Sequence, residues 1–290
     1  MPLGVVDVTM PELTLEDGHL WYELQGTGRP LVFIHGGWSN ARAWAPQVDR
    51  FADEYQVLTL DVRGHGNTGV TDSERYSIEL FTDDLERLLA DLDLEQPILC
   101  GLSLGSMVVQ EYLDRHPNDV AAAILGGAVR SMPPLEVPDS TKALFTPTPA
   151  IAASVALSGS RATFRSMCGS IRAATGGHWL SVNPEIRRDA IAAVGDIDRD
   201  EFRKIFDALY RYDPPDLSVD APTLVVHGAS EAPLVKRQGR QLVRDLPRGE
   251  RVVLPDSGHL VNQDRPDAFN TTCATFLESA FERRRPVSSE

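Results

Sequence analysis

Short apolar, β-branched runs bounded by turn residues alternate along this chain with stretches in which apolar positions recur every three or four residues. A strand buried on both faces is apolar throughout, whereas a surface helix is apolar along one stripe. The alternation therefore predicts a mostly parallel sheet with helices on both faces. Six runs read as buried strands: Leu31–His35, Val57–Asp61, Pro97–Cys100, Ala121–Leu125, Thr223–His227 and Arg251–Leu254. Ahead of them, Leu13–Leu15 and Leu20–Leu24 straddle the turn pair Asp17-Gly18, which predicts an antiparallel hairpin at the sheet edge and brings the sheet to eight strands.

Between the strands, Ile78, Phe81, Leu85, Leu88, Leu89 and Leu92 form one stripe and predict a helix over Ile78–Leu92. Leu104–Arg115 and Leu234–Leu246 read similarly, and Pro266–Phe281 is a closing helix with Phe269, Cys273, Phe276, Leu277 and Phe281 on one face. The polar tail from Arg283 is expected to be disordered. The alternation breaks between Ser131 and Pro215, where five prolines precede helix-like segments without a buried strand. The expected organisation is a core of residues 1–130 and 216–290, interrupted by a helical cap at 131–215.

Length and composition fit that plan, since 290 residues with 42% hydrophobic content can bury one large core. No apolar run reaches the roughly 18 residues that a membrane-spanning helix needs. The first 17 residues lack a basic segment ahead of an apolar stretch, so a cytoplasmic protein is expected. A net charge of −14 repels phosphate backbones and anionic membranes, which argues against nucleic-acid or membrane partners. Cys100, Cys168 and Cys273 lack disulfide or metal-ligand spacing and read as reduced thiols, so no metal is expected.

The candidate chemistry begins at Gly101-Leu102-Ser103-Leu104-Gly105, a G-x-S-x-G sequence between a strand and a helix. The letters alone are a weak signal; the strand-turn-helix setting gives them weight. A serine hydroxyl needs a base within hydrogen-bond reach and a carboxylate to orient that base. His259 follows the last strand in Pro255-Asp256-Ser257-Gly258-His259, and Glu231 follows the strand Thr223–His227 by four residues. In a parallel sheet both loops emerge at the edge that also carries Ser103. His35-Gly36-Gly37-Trp38 follows another strand there, and the N–H groups of Gly37 and Leu104 are the candidate oxyanion donors. Trp38 is a candidate substrate contact.

Taken together, the Gly101–Gly105 turn, the His35-Gly36 loop, Asp61-Val62-Arg63-Gly64-His65-Gly66 and Gly258-His259 resemble the α/β-hydrolase superfamily over nearly the whole chain outside the insertion. Cys100-Gly101-Leu102-Ser103-Leu104-Gly105 is similar to the elbows of small carboxylesterases and enol-lactonases. The resemblance implies a cofactor-free serine hydrolase with a cap after the sixth strand, acting on a small ester or lactone. Two positions depart from the family: glutamate stands at 231 where aspartate is common, and serine stands at 106 where a second glycine is common. Asp256 is the alternative acid. Asp61–Gly66 reads as a structural loop held by its charged pair.

Three functions stay open at this point. The first is hydrolysis through an acyl-enzyme. The second is acyl transfer, thioester cleavage or perhydrolysis with the same three side chains. The third is a ligand-binding receptor on the same fold. Substrate identity and oligomeric state are not encoded in any motif of the chain.

Overall fold

The computed structural model describes residues 11–132 and 147–282. The tail from Arg283 and the stretch 133–146 at the start of the insertion lie outside them. Eight strands form one sheet in the order β1-β2-β4-β3-β5-β6-β7-β8. They are β1 (Glu12–Leu15), β2 (Gly18–Gln25), β3 (Arg29–Ile34), β4 (Tyr55–Leu60), β5 (Ile98–Leu102), β6 (Ala122–Gly126), β7 (Thr223–Gly228) and β8 (Gly249–Leu254). β1 and β2 form the expected antiparallel hairpin, with Leu15 opposite Gly18; β2 also pairs antiparallel with β4, and β3 to β8 run parallel to one another. β5, β6 and β7 are buried at every residue, as central strands covered on both faces must be.

The core helices are α1 (Ala45–Phe51), α2 (Ile78–Asp91) and α3 (Leu104–Arg115), and, beyond the insertion, α8 (Pro233–Asp245), α9 (Val261–Asp264) and α10 (Pro266–Glu282). Ser77 caps α2 by accepting from Leu80 N, and the stripe Ile78, Phe81, Leu85, Leu88 and Leu89 is buried. The sequence pattern missed α1, whose seven residues are too few to establish a helical period. α1 is fixed by packing and by a buried amide: Gln47 Nε2 donates to Asn270 Oδ1 at 2.9 Å and to Asn262 O at 3.2 Å. This latch ties α1 to α9 and α10, and so fixes the ground beneath the loop that carries His259.

Between β6 and β7 the described residues form four α-helices, α4 (Thr148–Ser158), α5 (Ser160–Thr175), α6 (Pro184–Ala193) and α7 (Arg199–Arg211), a 3-10 turn at Val194–Asp196, and no strand. α7 turns Phe202, Ile205, Phe206 and Leu209 inward. Its Glu201, only 1% exposed, accepts from Tyr76 Oη of the core and from Lys204 Nζ at 2.9 Å. The insertion is thus bound to the core by polar as well as apolar contacts.

The loop Asp61–Gly66 is ordered differently from the expectation that its own charged pair holds it. Asp61 instead accepts from Ala41 N and Asn67 N, each at 2.7 Å. Arg63 reaches out of the loop to Asp84 on α2, with Nε–Oδ2 at 2.5 Å and Nη2–Oδ1 at 2.8 Å, and to Asp17 in the hairpin turn at 2.5 Å. A guanidinium suits this role because its fixed fork serves two carboxylates at once. Arg63→Ala would leave Asp84 buried without a counter-charge. The expected loss is about 3–5 kcal/mol of unfolding free energy, read from the urea midpoint at unchanged m-value.

Candidate active site

The site is built on the junction of β5 and α3. Ser103 has φ 54° and ψ −110°, a strained setting for a residue with a side chain. Its neighbours permit the turn because they have no Cβ. A Cβ on Gly101 would lie 2.2 Å from Gly105 O, and one on Gly105 would lie 2.1 Å from Ile34 O. Ser103 N donates to Gly126 O at 3.0 Å, which carries the sheet pairing into the turn. Ser106 acts as a brace: its hydroxyl donates to Ser103 O at 2.6 Å and accepts from Val129 N at 3.3 Å. This accounts for a serine at the position where the resembled elbows carry glycine.

The loop after β3 lies against this turn. A Cβ on Gly36 would be 3.5 Å from Ser103 Cβ, and one on Gly37 would be 3.6 Å from Leu104 Cδ1. His35 is fully buried; Nε2 accepts from Val62 N at 3.0 Å, so Nδ1 carries the proton and donates to Gly36 O at 2.8 Å. In a trans peptide the C=O and N–H point in opposite directions. Fixing Gly36 O therefore turns the Gly37 N–H away from His35. Among the described residues neither Gly37 N nor Leu104 N has a hydrogen-bond partner.

Trp38 has φ 59°, and its N–H donates to His65 Nε2 at 2.9 Å. Its ring stacks on Phe202 at 5.0 Å and tilts against Phe164 at 5.3 Å, so the indole is sandwiched by the insertion. Phe206 and Leu209 of the insertion are likewise buried, and Met167 and Trp179 are half-buried. An open cleft of about 270 Å³ lies to one side, lined by polar groups including Asn40, Arg42, Asp61, Asp198 and Glu201, with neither Ser103 nor His259 in its wall.

Glu231 and His259 meet where the loops after β7 and β8 run side by side. Ser230 N donates to Ser257 O at 2.9 Å, and a Cβ on Gly228 would lie 2.2 Å from Gly258 O. Glu231, 2% exposed, accepts from His259 Nδ1 at 2.7 Å through Oε2 and from Ala232 N at 2.8 Å through Oε1. Burial pushes the pKa of His259 down. The charge and the hydrogen bond of Glu231 outweigh burial and leave it above the ordinary 6.5. Asp256, by contrast, has φ 49° and faces solvent, paired with Arg265 at 3.1 Å, which makes it a turn residue.

Ser103 and His259 occupy the same rim of the sheet. Gly127, one residue beyond the carbonyl that holds Ser103 N, has φ 51°, and a Cβ there would lie 3.0 Å from both Cε1 and Nδ1 of His259. Among the described residues the Ser103 hydroxyl has no hydrogen-bond partner, so the Ser103–His259 bond is not formed in this structure. Such bonds are often long before substrate arrives and tighten in the complex. Sequence reasoning missed Gly127. It also missed His65, which holds the Trp38 peptide, and no spacing rule would have found either.

Two measurements probe the buried imidazoles. His35 and His65 are fully buried, and desolvation pushes their pKa values down to about 4 and about 3. The unfolded chain binds these protons near 6.5, so stability is complete above that pH and falls as pH drops through it. The slope approaches about 1.4 kcal/mol per pH unit per histidine. Urea midpoints from pH 7 to 4 should trace this decline, and His65→Gln should flatten it. For His259 the sign is opposite: by NMR its imidazole should titrate above 6.5, and Glu231→Gln should move that titration to lower pH.

A family model described as the alpha/beta hydrolase family matches residues 31–272. The chain is 40% identical over 124 residues to the non-heme chloroperoxidase CPO-A1 of Kitasatospora aureofaciens, a match covering 41% of this chain and 44% of that protein. It is 28% identical over 280 residues to the putative non-heme bromoperoxidase BpoC of Mycobacterium tuberculosis, covering 90% and 98%. Among solved structures, the enol-lactonase from Burkholderia xenovorans LB400 superposes with a TM-score of 0.69 at 23% identity, covering 92% of this chain and all of that one, a likeness of fold. With a family match spanning most of its length, and the strand order and strained serine turn described above, this chain belongs to the α/β-hydrolase family.

Proposed function

We propose that the protein is a serine hydrolase that cleaves a carboxylic ester or lactone through an acyl-enzyme. Ser103 is the nucleophile, His259 the general base, Glu231 the acid that orients it, and the N–H groups of Gly37 and Leu104 form the oxyanion hole. The observation that carries this reading is the buried 2.7 Å bond from His259 Nδ1 to Glu231. It fixes the tautomer that leaves Nε2 free to accept a proton, on a ring seated over Gly127 at the rim occupied by Ser103.

Acylation begins as His259 Nε2 takes the Ser103 proton and Oγ attacks the carbonyl carbon. The negative charge on the carbonyl oxygen meets the two N–H groups that have no other partner. Donors so placed are worth about 10²–10³ each in rate. Collapse of the adduct expels the alkoxide, which receives the proton from His259; in a lactone the alkoxide stays tethered. Water, activated by the same imidazole, then releases the acid. Residues 131–215 act as a cap, and Trp38 between Phe202 and Phe164 is part of the wall that substrate meets.

The perhydrolase variant of this chemistry gains weight from the haloperoxidase names of CPO-A1 and BpoC. There hydrogen peroxide replaces water as the acceptor and a peracid replaces the acid. Ser103→Ala should lower turnover of p-nitrophenyl esters by at least about 10⁴-fold with the fold intact. Full turnover in that variant would sink the reading. Product analysis of the unaltered protein with acetate ester and peroxide in competition with water separates the two acceptors.

A further inference from the structure

The loop carrying His259 is bonded to the insertion at two successive N–H groups. His259 N donates to Trp179 O at 2.6 Å and Leu260 N to Leu180 O at 2.9 Å, two rungs of backbone pairing. The N–H of Gly258, just before the histidine, donates to Asp264 Oδ2 at 2.7 Å. The same carboxylate reaches across to the insertion. Oδ2 also accepts from Val182 N at 3.0 Å, and Oδ1 accepts from Ser181 Oγ at 2.5 Å and Asn183 N at 3.3 Å. Four donors use the acceptor capacity of one carboxylate. The approach leaves no room for a side chain, since a Cβ on Gly258 would lie 2.5 Å from Trp179 O and 3.0 Å from Ser181 N. Arg187 Nη1 continues the connection into α6 by donating to Ser181 O at 2.7 Å.

We infer that Asp264 is a positioning residue for His259: it clamps the histidine loop to Trp179–Asn183, so that the seating of the insertion sets the aim of the imidazole. This rests on His259 being the general base. The clamp acts through backbone: Trp179 O and Leu180 O hold the peptides on the two sides of the His259 Cα, and Asp264 holds the peptide just before them through Gly258 N while gripping the same stretch of the insertion. The ring is then left with Glu231 at Nδ1 and the Trp179 indole at 5.5 Å. The charged and titratable groups around it are Glu231 and His227 from the β7 side and, from the β8–α9 side, Asp264 and the exposed Asp256–Arg265 pair.

The decisive variant is Asp264→Asn, which keeps the shape but places an NH₂ opposite two of the donors. A loosened loop lengthens the Nδ1–Glu231 bond, which is what raises the His259 pKa. The variant should therefore move the acidic limb of the kcat/KM profile to lower pH. It should also weaken the downfield His259 Hδ1 signal in NMR and lower kcat about tenfold to 100-fold per folded molecule. KM should change less. Ser181→Ala, which removes one donor from the insertion side, should shift the same readouts in the same direction by about threefold, and it becomes the deciding variant if Asp264→Asn does not fold.

A merely structural residue would lower the melting temperature and leave the pH limb and the Hδ1 signal unmoved; that result in a folded variant overturns the proposal. The NMR arm needs no turnover. Retained activity in Ser103→Ala would thus overturn the hydrolase reading while leaving the clamp to be judged on the Hδ1 signal alone.

Discussion

The site depends on one close approach: the first turn of α3 lies directly against the end of β3, where a Cβ built on Gly105 would fall 2.1 Å from Ile34 O. That contact sets the angle at which the chain turns at Ser103 and lifts its side chain out of the sheet. It also brings the His35-Gly36-Gly37 loop beside Leu104, so the Ser103 side chain and the unpartnered N–H groups of Gly37 and Leu104 share one constraint. Close packing makes the constraint stiff. An interior at crystal-like density cannot absorb an extra methyl group by small adjustments elsewhere.

Around this fixed point the remaining groups are held by backbone hydrogen bonds more than by side-chain pairs. His35 and His65 are both used as neutral acceptors of backbone N–H groups, from Val62 and Trp38. Burial that keeps them uncharged therefore serves the geometry: a protonated ring would offer a second donor where an acceptor is needed. His259 differs in having a carboxylate at 2.7 Å, and the same desolvation is overcome there. These three imidazoles thus divide into two held as neutral acceptors and one whose pKa a carboxylate raises.

Much of this was legible in the sequence because it follows from period and steric exclusion. The eight strands appear in the apolar runs, with β5 extending two residues beyond Pro97–Cys100, to Leu102, because its pairing with β6 continues to Gly126. The order of Ser103, Glu231 and His259 in loops after separate strands placed them at one edge, and the Glu231–His259 bond agrees with that placement. What was not legible is set by tertiary contacts. Arg63 was paired with the wrong side of its loop, because nothing in Asp61–Gly66 announces Asp84 or Asp17. α1 was too short for periodicity, and Asp264, at the end of α9, is an unremarkable acid until the insertion folds over it.

The insertion contributes to the histidine loop chiefly through main-chain groups, the carbonyls of Trp179 and Leu180 and the N–H groups of Val182 and Asn183. Such groups belong to every residue type except proline at a donor. The tie therefore prescribes a path for the chain at 179–183 and leaves most side chains there open to replacement. Side chains of the insertion are thus replaceable without moving the Glu231–His259 pair beneath it, so the two can diverge at different rates.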